Sequence, residues 1–267
     1  MRSARFVSLL VLIAVARSAT AQQATASAPQ AGAVLQQSLA ALTGGHPLTD
    51  VTLSGTARRI AGSDDESGTA VLKALASGAS RVDLTLSSGQ HSEILNTSVA
   101  PAAGSWSGPD SVPHAIAFHN LLASPTWFFP AFTIAQGFSA STYVVTYVGA
   151  ETHNGQPVQH VSLSQPSLLP ASSGGLSSAH LTQVDLFLDA TTFLPSAIVF
   201  NIHPDNNALV DIPVEVRFSD YRSVNAAQVP FHVQQYLNNT LNLDFQADSV
   251  TLNNGLSASI FTVQAGL

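Results

Sequence analysis

Apolar and polar residues alternate along most of this chain, and that period of two confines helices to a few places. Val51, Leu53, Gly55 and Ala57 alternate with Thr52, Ser54, Thr56 and Arg58. Val82, Leu84 and Leu86 alternate with Asp83, Thr85 and Ser87. Successive side chains of a strand point to opposite faces, so such stretches are half-buried strands. Residues 71–76, 91–96, 143–149, 158–163, 181–188, 197–202, 214–218, 231–237 and 241–247 read as further strands. About ten strands with short reversals need a sheet that closes, or nearly closes, around a core.

The reversals carry their own chemistry. Asn154-Gly155 suits the primed turns that join hairpins. Residues 64–68 read as an exposed acidic turn, Ser88-Gly89 as another, and residues 190–195, Asn225 and Asn238-Asn239 as later ones. Helical spacing is clear once: Val34, Leu35, Leu39 and Leu42 recur on one face, and Gly44-Gly45 follow as a C-cap. The middle of the chain departs from the β pattern. Residues 101–113 are rich in Gly, Ser and Pro around Trp106 and predict a loop. Residues 114–122 predict a short helix with Ile116, Phe118 and Leu122 apolar. Trp127-Phe128-Phe129-Pro130-Ala131-Phe132 predicts a helix or lid interrupted by Pro130. Residues 165–178 predict a loop.

The start of the chain reads as a secretory signal peptide. Arg2 and Arg5 form the positive region, residues 6–16 the apolar run, and Ala19-Thr20-Ala21 a small-x-small cleavage site. The organisation expected is a signal peptide over 1–21, a disordered leader over 22–30 and one β domain over 31–267. Arg17 ends the apolar run short of the roughly 20 residues that a membrane span requires. No later run is long enough either, so the exported chain is expected in the periplasm, not spanning a membrane.

Composition narrows the functions. Loss of Arg2, Arg5 and Arg17 leaves six basic against sixteen acidic residues, a net charge of −10, which excludes a nucleic-acid partner. With no cysteine, the chain folds without disulfides and carries no lipid on an N-terminal cysteine. Charged residues make up only 9% of the chain against roughly 25% in ordinary soluble proteins. With a positive mean hydropathy, this leaves two readings open: apolar surface kept for a ligand, or a richly packed core.

The C-terminal half adds a resemblance. Residues 185–195 contain a strand, the Asp189-Ala190-Thr191-Thr192 turn of D-x-x-T form and a return strand through Pro195. Phe218-Ser219-Asp220-Tyr221-Arg222-Ser223-Val224 follows, then Val229-Pro230, then Asn253-Asn254-Gly255-Leu256 and Phe261. This ordered set resembles the periplasmic outer-membrane lipoprotein carrier (LolA-like) superfamily. The resemblance implies a mainly β (α+β) fold: a strongly curved, half-open antiparallel barrel with a few helices plugging its concave face. It also implies an apolar interior that holds acyl chains of lipids or lipoproteins.

Candidate site residues follow from these expectations. Trp106, Phe118, Trp127, Phe128, Phe129, Phe132, Leu84 and Leu86 are candidates to line an apolar cavity, because ligand pockets are mostly hydrophobic and aromatic. Ordinary packing of a helix on a sheet is the alternative for the aromatic cluster. Arg81 and Arg222 are candidate contacts for a ligand head group, with a structural pair such as Arg222 with Asp220 or Asp211 as the alternative. The nine histidines follow no metal-site spacing; His91 and Glu93 share one strand face as a weak pair. There is no G-x-S-x-G. Asp185 and Asp189 fall on one face of a strand, a carboxylate pair that could do acid/base work, with the solvent face of a strand opposite Leu186 and Leu188 as the more frequent alternative. The expectation is a non-enzymatic carrier of acyl chains or another apolar ligand, without cofactor or metal. The rivals are an envelope sensor or adaptor that docks another protein, and a secreted hydrolase.

Overall fold

The computed structural model describes residues 20–123, 126–139, 141–166 and 177–263. The segment read as a signal peptide lies almost wholly outside them. Thirteen strands form one antiparallel sheet: β1 Asp50–Ala61, β2 Asp64–Leu75, β3 Ala79–Leu86, β4 Gly89–Asn96, β5 Ala103–Ser107, β6 Pro113–Ala115, β7 Val144–His153, β8 Gln156–Ser164, β9 Val184–Asp189, β10 Pro195–Ile202, β11 Ile212–Val224, β12 Ala227–Leu237 and β13 Thr240–Leu252. Their spatial order is β6-β5-β4-β3-β2-β1-β13-β12-β11-β10-β9-β8-β7. Two meanders thus meet where β1 pairs with β13, and β6 and β7 remain as unpaired edges. The architecture is the expected curved, half-open barrel with few helices.

Period-two patterning puts one side chain in every two on the concave face. Ala57, Phe245, Val233 and Phe218 stand opposite one another across β1, β13, β12 and β11, and all four are buried. Each large apolar side chain fully buried in such a row contributes roughly 1.5–3 kcal/mol.

Helices fill the concavity. α1 (Thr20–Thr43) packs through Leu35 and Leu42, both buried, and ends at Gly44, whose amide donates to the Ala40 carbonyl at 3.0 Å. Gly44 adopts φ +59, and a Cβ there would stand 2.5 Å from the Ala226 carbonyl oxygen, so this cap requires glycine on two counts. α1 starts ahead of the periodic stretch, so its span includes residues 22–30. α2 (Pro130–Ser139) lies against α1 and buries Phe132 and Ile134. α3 (Ser178–Thr182) is a single turn before β9.

Several local expectations are corrected. Residues 64–68 are the start of β2, and the reversal lies one step earlier, at Gly62 with φ +62. Both faces are polar there because the β1–β2 hairpin extends into water, with Arg58 and Asp65 paired at 2.6 Å. The loop expected over 101–113 contains β5, and the helix expected over 114–122 is the short strand β6 followed by a 3-10 turn at Phe118–Leu121. Pro130 does not interrupt a helix but opens α2, where its missing N–H costs nothing. Asn154 and Gly155 take φ +50 and +78, as a primed turn requires. Asp189 closes the D-x-x-T turn by accepting from the Thr191 and Thr192 amides at 3.0 and 2.7 Å. Most of the 165–178 loop lies outside the described residues.

Candidate functional site

α1 and α2 plug one end of the half-barrel, and a cavity remains between its two walls at the other. It has two adjoining lobes of about 260 and 310 Å³. The lobes share Glu93, Trp106, Trp127, Gln235 and Asn242. Each lobe is of the order of the smaller small-molecule sites, which start near ~300 Å³.

Strand register builds the first wall. Val82 on β3 stands opposite Glu93 on β4, Glu93 opposite Trp106 on β5, and Trp106 opposite His114 on β6. One row across four strands thus presents an apolar side chain, a carboxyl and an indole to the cavity. The Trp106 and His114 rings stack at 4.4 Å. Leu84, opposite His91, lies beside this row. The second wall comes from β10 to β13: Phe200, Val214 and Leu237 are apolar, and Gln235 stands opposite Leu243, which stands opposite Arg59 of β1. Trp127 enters from the turn before α2. It lines both lobes, and its ring stands nearly perpendicular to that of Phe128, with the centroids 5.4 Å apart.

Polar side chains line both lobes: Glu93, Gln235 and Asn242 at their junction, Arg59 and His91 in the smaller, and Asn120 and Asp205 in the larger. Burial pushes the Glu93 carboxyl above the usual carboxylate range, against a hydrogen bond from the Trp127 indole that favours its ionised form. Burial, then the nearby Arg59 cation, pushes His91 below the ordinary imidazole value, with Glu66 opposing. Arg59 has no ion-pair partner among the described residues. The cavity therefore offers apolar patches beside two carboxyls, Glu93 and Asp205, three amide side chains, an imidazole and one guanidinium.

The candidates from the sequence divide among several places. Trp106, Trp127 and Leu84 line this cavity. Phe128, Phe129 and Phe132 are at most 1% exposed and form the centre of the core, with Phe129 and Phe132 edge-to-face at 4.8 Å. Leu86 is also a core residue. Phe118 is exposed and lines a separate groove with Val99 and Leu122. Arg81 holds Asp83 at 2.8 Å and reaches the Ile260 carbonyl, and Arg222 holds Asp220 at 2.6 Å while covering the Phe231 ring. Arg59, Asn120, Asp205, Gln235 and Asn242 also line the cavity and were not among those candidates, and the His91–Glu93 pair lies in it although it was not expected to line an apolar site. A signal for Glu93 was available: a hairpin centred on Ser87-Ser88 puts residue 93 opposite inward-facing Val82.

Asp185 bonds His160 at 3.0 Å and Asp189 closes its turn, so the two form no acid/base pair. The chain does align Ser219 Oγ with His232 Nδ1 at 3.1 Å and His232 Nε2 with Asp244 at 2.7 Å. This line runs over the convex face, alternating with inward Phe218, Val233 and Phe245. Most of the paired backbone groups around it belong to the β11–β12–β13 ladder, while Asp220, next to Ser219, stands outside the paired positions with φ +51. Elsewhere on that face His153 meets Glu215, and His160 meets Glu151 and Asp185, at 2.9–3.0 Å. His153 and His160 Nε2 hydrogen-bond strand carboxylates.

No family model matches the sequence. No curated protein matches it either. Solved structures do match the fold. A domain named for outer-membrane lipoprotein sorting from Vibrio parahaemolyticus is 12% identical, with a TM-score of 0.54 over 88% of this chain and 97% of that one. A LolA superfamily protein from Nitrosomonas europaea is 12% identical, with a TM-score of 0.53 over 88% and 97%. A DUF1329 family protein from Desulfovibrio piger is 10% identical, with a TM-score of 0.53 over 89% and 99%. The chain has the LolA-like fold, as the resemblance in its C-terminal half implied. Among the described residues no helix is long and apolar enough to cross a membrane.

Proposed function

We propose that this protein is a periplasmic, non-enzymatic carrier that holds an acyl chain in the cavity between the two walls of its half-barrel. The observation that carries the reading is the two-lobed cavity itself, floored by Trp106, Trp127 and Glu93 where a filled barrel would have closed. An acyl chain placed there removes apolar area from water at about 25 cal/mol per Å². Arg59, at one end, suits a carboxylate or phosphate head group. Arg2, Arg5, the apolar run and Ala19-Thr20-Ala21 support export through a cleaved signal, with the mature chain starting at Gln22. The names of two proteins that share the fold, one for lipoprotein sorting and one for the LolA superfamily, point the same way.

Native mass spectrometry of the protein purified from a bacterial periplasm tests this reading. Bound phospholipid or fatty acid is expected, and it should be lost when Trp106 or Leu84 is changed to Asp. A clean apo mass that also takes up no added fatty acid would rule the carrier reading out. A second reading, docking of an envelope protein, is favoured by edge strand β7, where Val144 and Val148 are 48% and 54% exposed. On that reading Val148→Lys abolishes partner binding and leaves lipid content unchanged.

A further inference from the structure

His203 is the most deeply placed histidine in the described structure: its side chain has no solvent exposure. Neither of its ring nitrogens has a hydrogen-bond partner among the described residues. Burying an imidazole with both nitrogens unsatisfied costs free energy that a folded chain rarely leaves uncompensated. Its Nε2 lies 3.2 Å from the Asp211 Oδ1 atom, off the line a hydrogen bond needs. The same oxygen lies 3.0 Å from Nε2 of His180. Three donors thus converge from three segments: α3, the end of β10 and the approach to β11. All three donor atoms lie within 4.8 Å of one another.

We propose that His180, His203 and Asp211 bind a divalent transition-metal ion of the zinc class. Two imidazoles and one carboxylate are a zinc ligand set, and water completes the tetrahedron. Ligands at 2.0–2.1 Å around such an ion stand about 3.3 Å apart. The carboxylate oxygen already stands at 3.0 and 3.2 Å from the two ring nitrogens. Asp211 and His180 are partly exposed, which gives an ion a path inward.

The backbone holds the buried ligand in place. The Asn120 side-chain amide bonds both the N–H and the carbonyl of His203, each at 2.8 Å. Asn120 also lines the larger lobe of the cavity. A bound ion would therefore tie α3 to the 203–211 loop directly behind that lobe. In a chain without cysteine this is a cross-link that a disulfide cannot supply.

The test uses the exported chain purified without an affinity tag, stripped with a chelator and dialysed. Zinc is titrated calorimetrically and cobalt by visible absorption. One equivalent of zinc is expected, with cobalt bands of a four-coordinate site. His180→Ala and Asp211→Asn, both at partly exposed positions, should each weaken zinc binding at least tenfold, while His46→Ala leaves it unchanged. Zinc should also raise the melting temperature of the wild type and of neither ligand variant. His203→Ala is the less decisive variant because its burial makes unfolding a competing explanation. Absence of zinc binding at tens of micromolar, or binding that survives both His180→Ala and Asp211→Asn, would overturn the assignment. Neither result depends on whether the cavity holds a lipid.

Discussion

Phe128 and Trp106 belong to one aromatic inventory in the sequence but do different work in the fold, and a pair of alanine substitutions separates them. Phe128 has no solvent exposure. Truncating a phenylalanine at such a position removes its transfer free energy and leaves a cavity, at about 3–5 kcal/mol. For a chain of this size 1 kcal/mol is about 2–4 °C, so Phe128→Ala should lower the melting temperature by roughly 6–20 °C. Trp106 is 46% exposed and lines both lobes of the cavity. A large aromatic side chain presents up to ~250 Å², so about 115 Å² remains for a ligand to cover, worth at most about 3 kcal/mol. Trp106→Ala should therefore weaken acyl-chain binding 10- to 100-fold and shift the melting temperature by less than about 4 °C. Thermal unfolding by circular dichroism and a fluorescent fatty-acid displacement assay below both transitions give the two readouts. Phe128→Ala protein that is still folded should bind within about threefold of wild type. The reasoning fails if Phe128→Ala melts within 2 °C of wild type, or if Trp106→Ala costs stability and leaves binding intact.

Three further outcomes follow from the geometry. The Glu215 carboxyl is subject to an upward push from burial, but hydrogen bonds from Arg217, Asn154 and His153 hold it at about 2. Because the folded value lies below the unfolded one, this stabilisation is present above about pH 4.5 and lost as pH falls toward 2. Glu215→Gln should therefore lower the melting temperature at pH 7 and converge with wild type near pH 2. Glu93 has the opposite sign: its folded value is raised, so its contribution is present at low pH and lost as pH rises through that value. Glu93→Gln should match wild type at pH 4 and melt higher at pH 8, and a lower melting temperature at pH 8 would refute the burial argument. A Cβ at Gly55 would stand 2.0 Å from the Gln246 carbonyl oxygen, so Gly55→Ala should part β1 from β13 at the seam of the two meanders and cost about 1–3 kcal/mol in chemical denaturation.

The strands of the second meander were legible because their alternation is clean and their turns carry Asn, Gly or the Asp189–Thr192 closure. The first meander hid two features. β5 reads as a loop because its residues other than Trp106 are small, and the structure shows why Gly104 must be: a Cβ there would stand 2.5 Å from Leu121 of the 3-10 turn packed over it. The start of β2 reads as a turn because it projects beyond the core, where neither face is apolar. The same limits apply to the site. Trp106, Trp127 and Leu84 were visible as apolar lining, but Phe128, Phe129 and Phe132 carry the same composition and lie in the core; only three-dimensional placement separates them. Arg59, Gln235 and Asn242 come together from strands far apart in the chain, and no local spacing marks such a set. The proposed metal ligands His180, His203 and Asp211 are spread the same way.

The chain has two tryptophans, Trp106 and Trp127, and both line the cavity, so intrinsic fluorescence is an unmodified reporter of its contents. Titrating delipidated protein with a fatty acid brominated along its chain tests the carrier reading most directly, because bromine quenches an indole only at contact. Saturable quenching of both tryptophans is the predicted result, with the residual emission of Trp106→Phe protein quenched as well. Emission unchanged at saturating brominated chain, or quenching of exposed Trp106 alone while Trp127 stays bright, would contradict an acyl chain lying between the two walls.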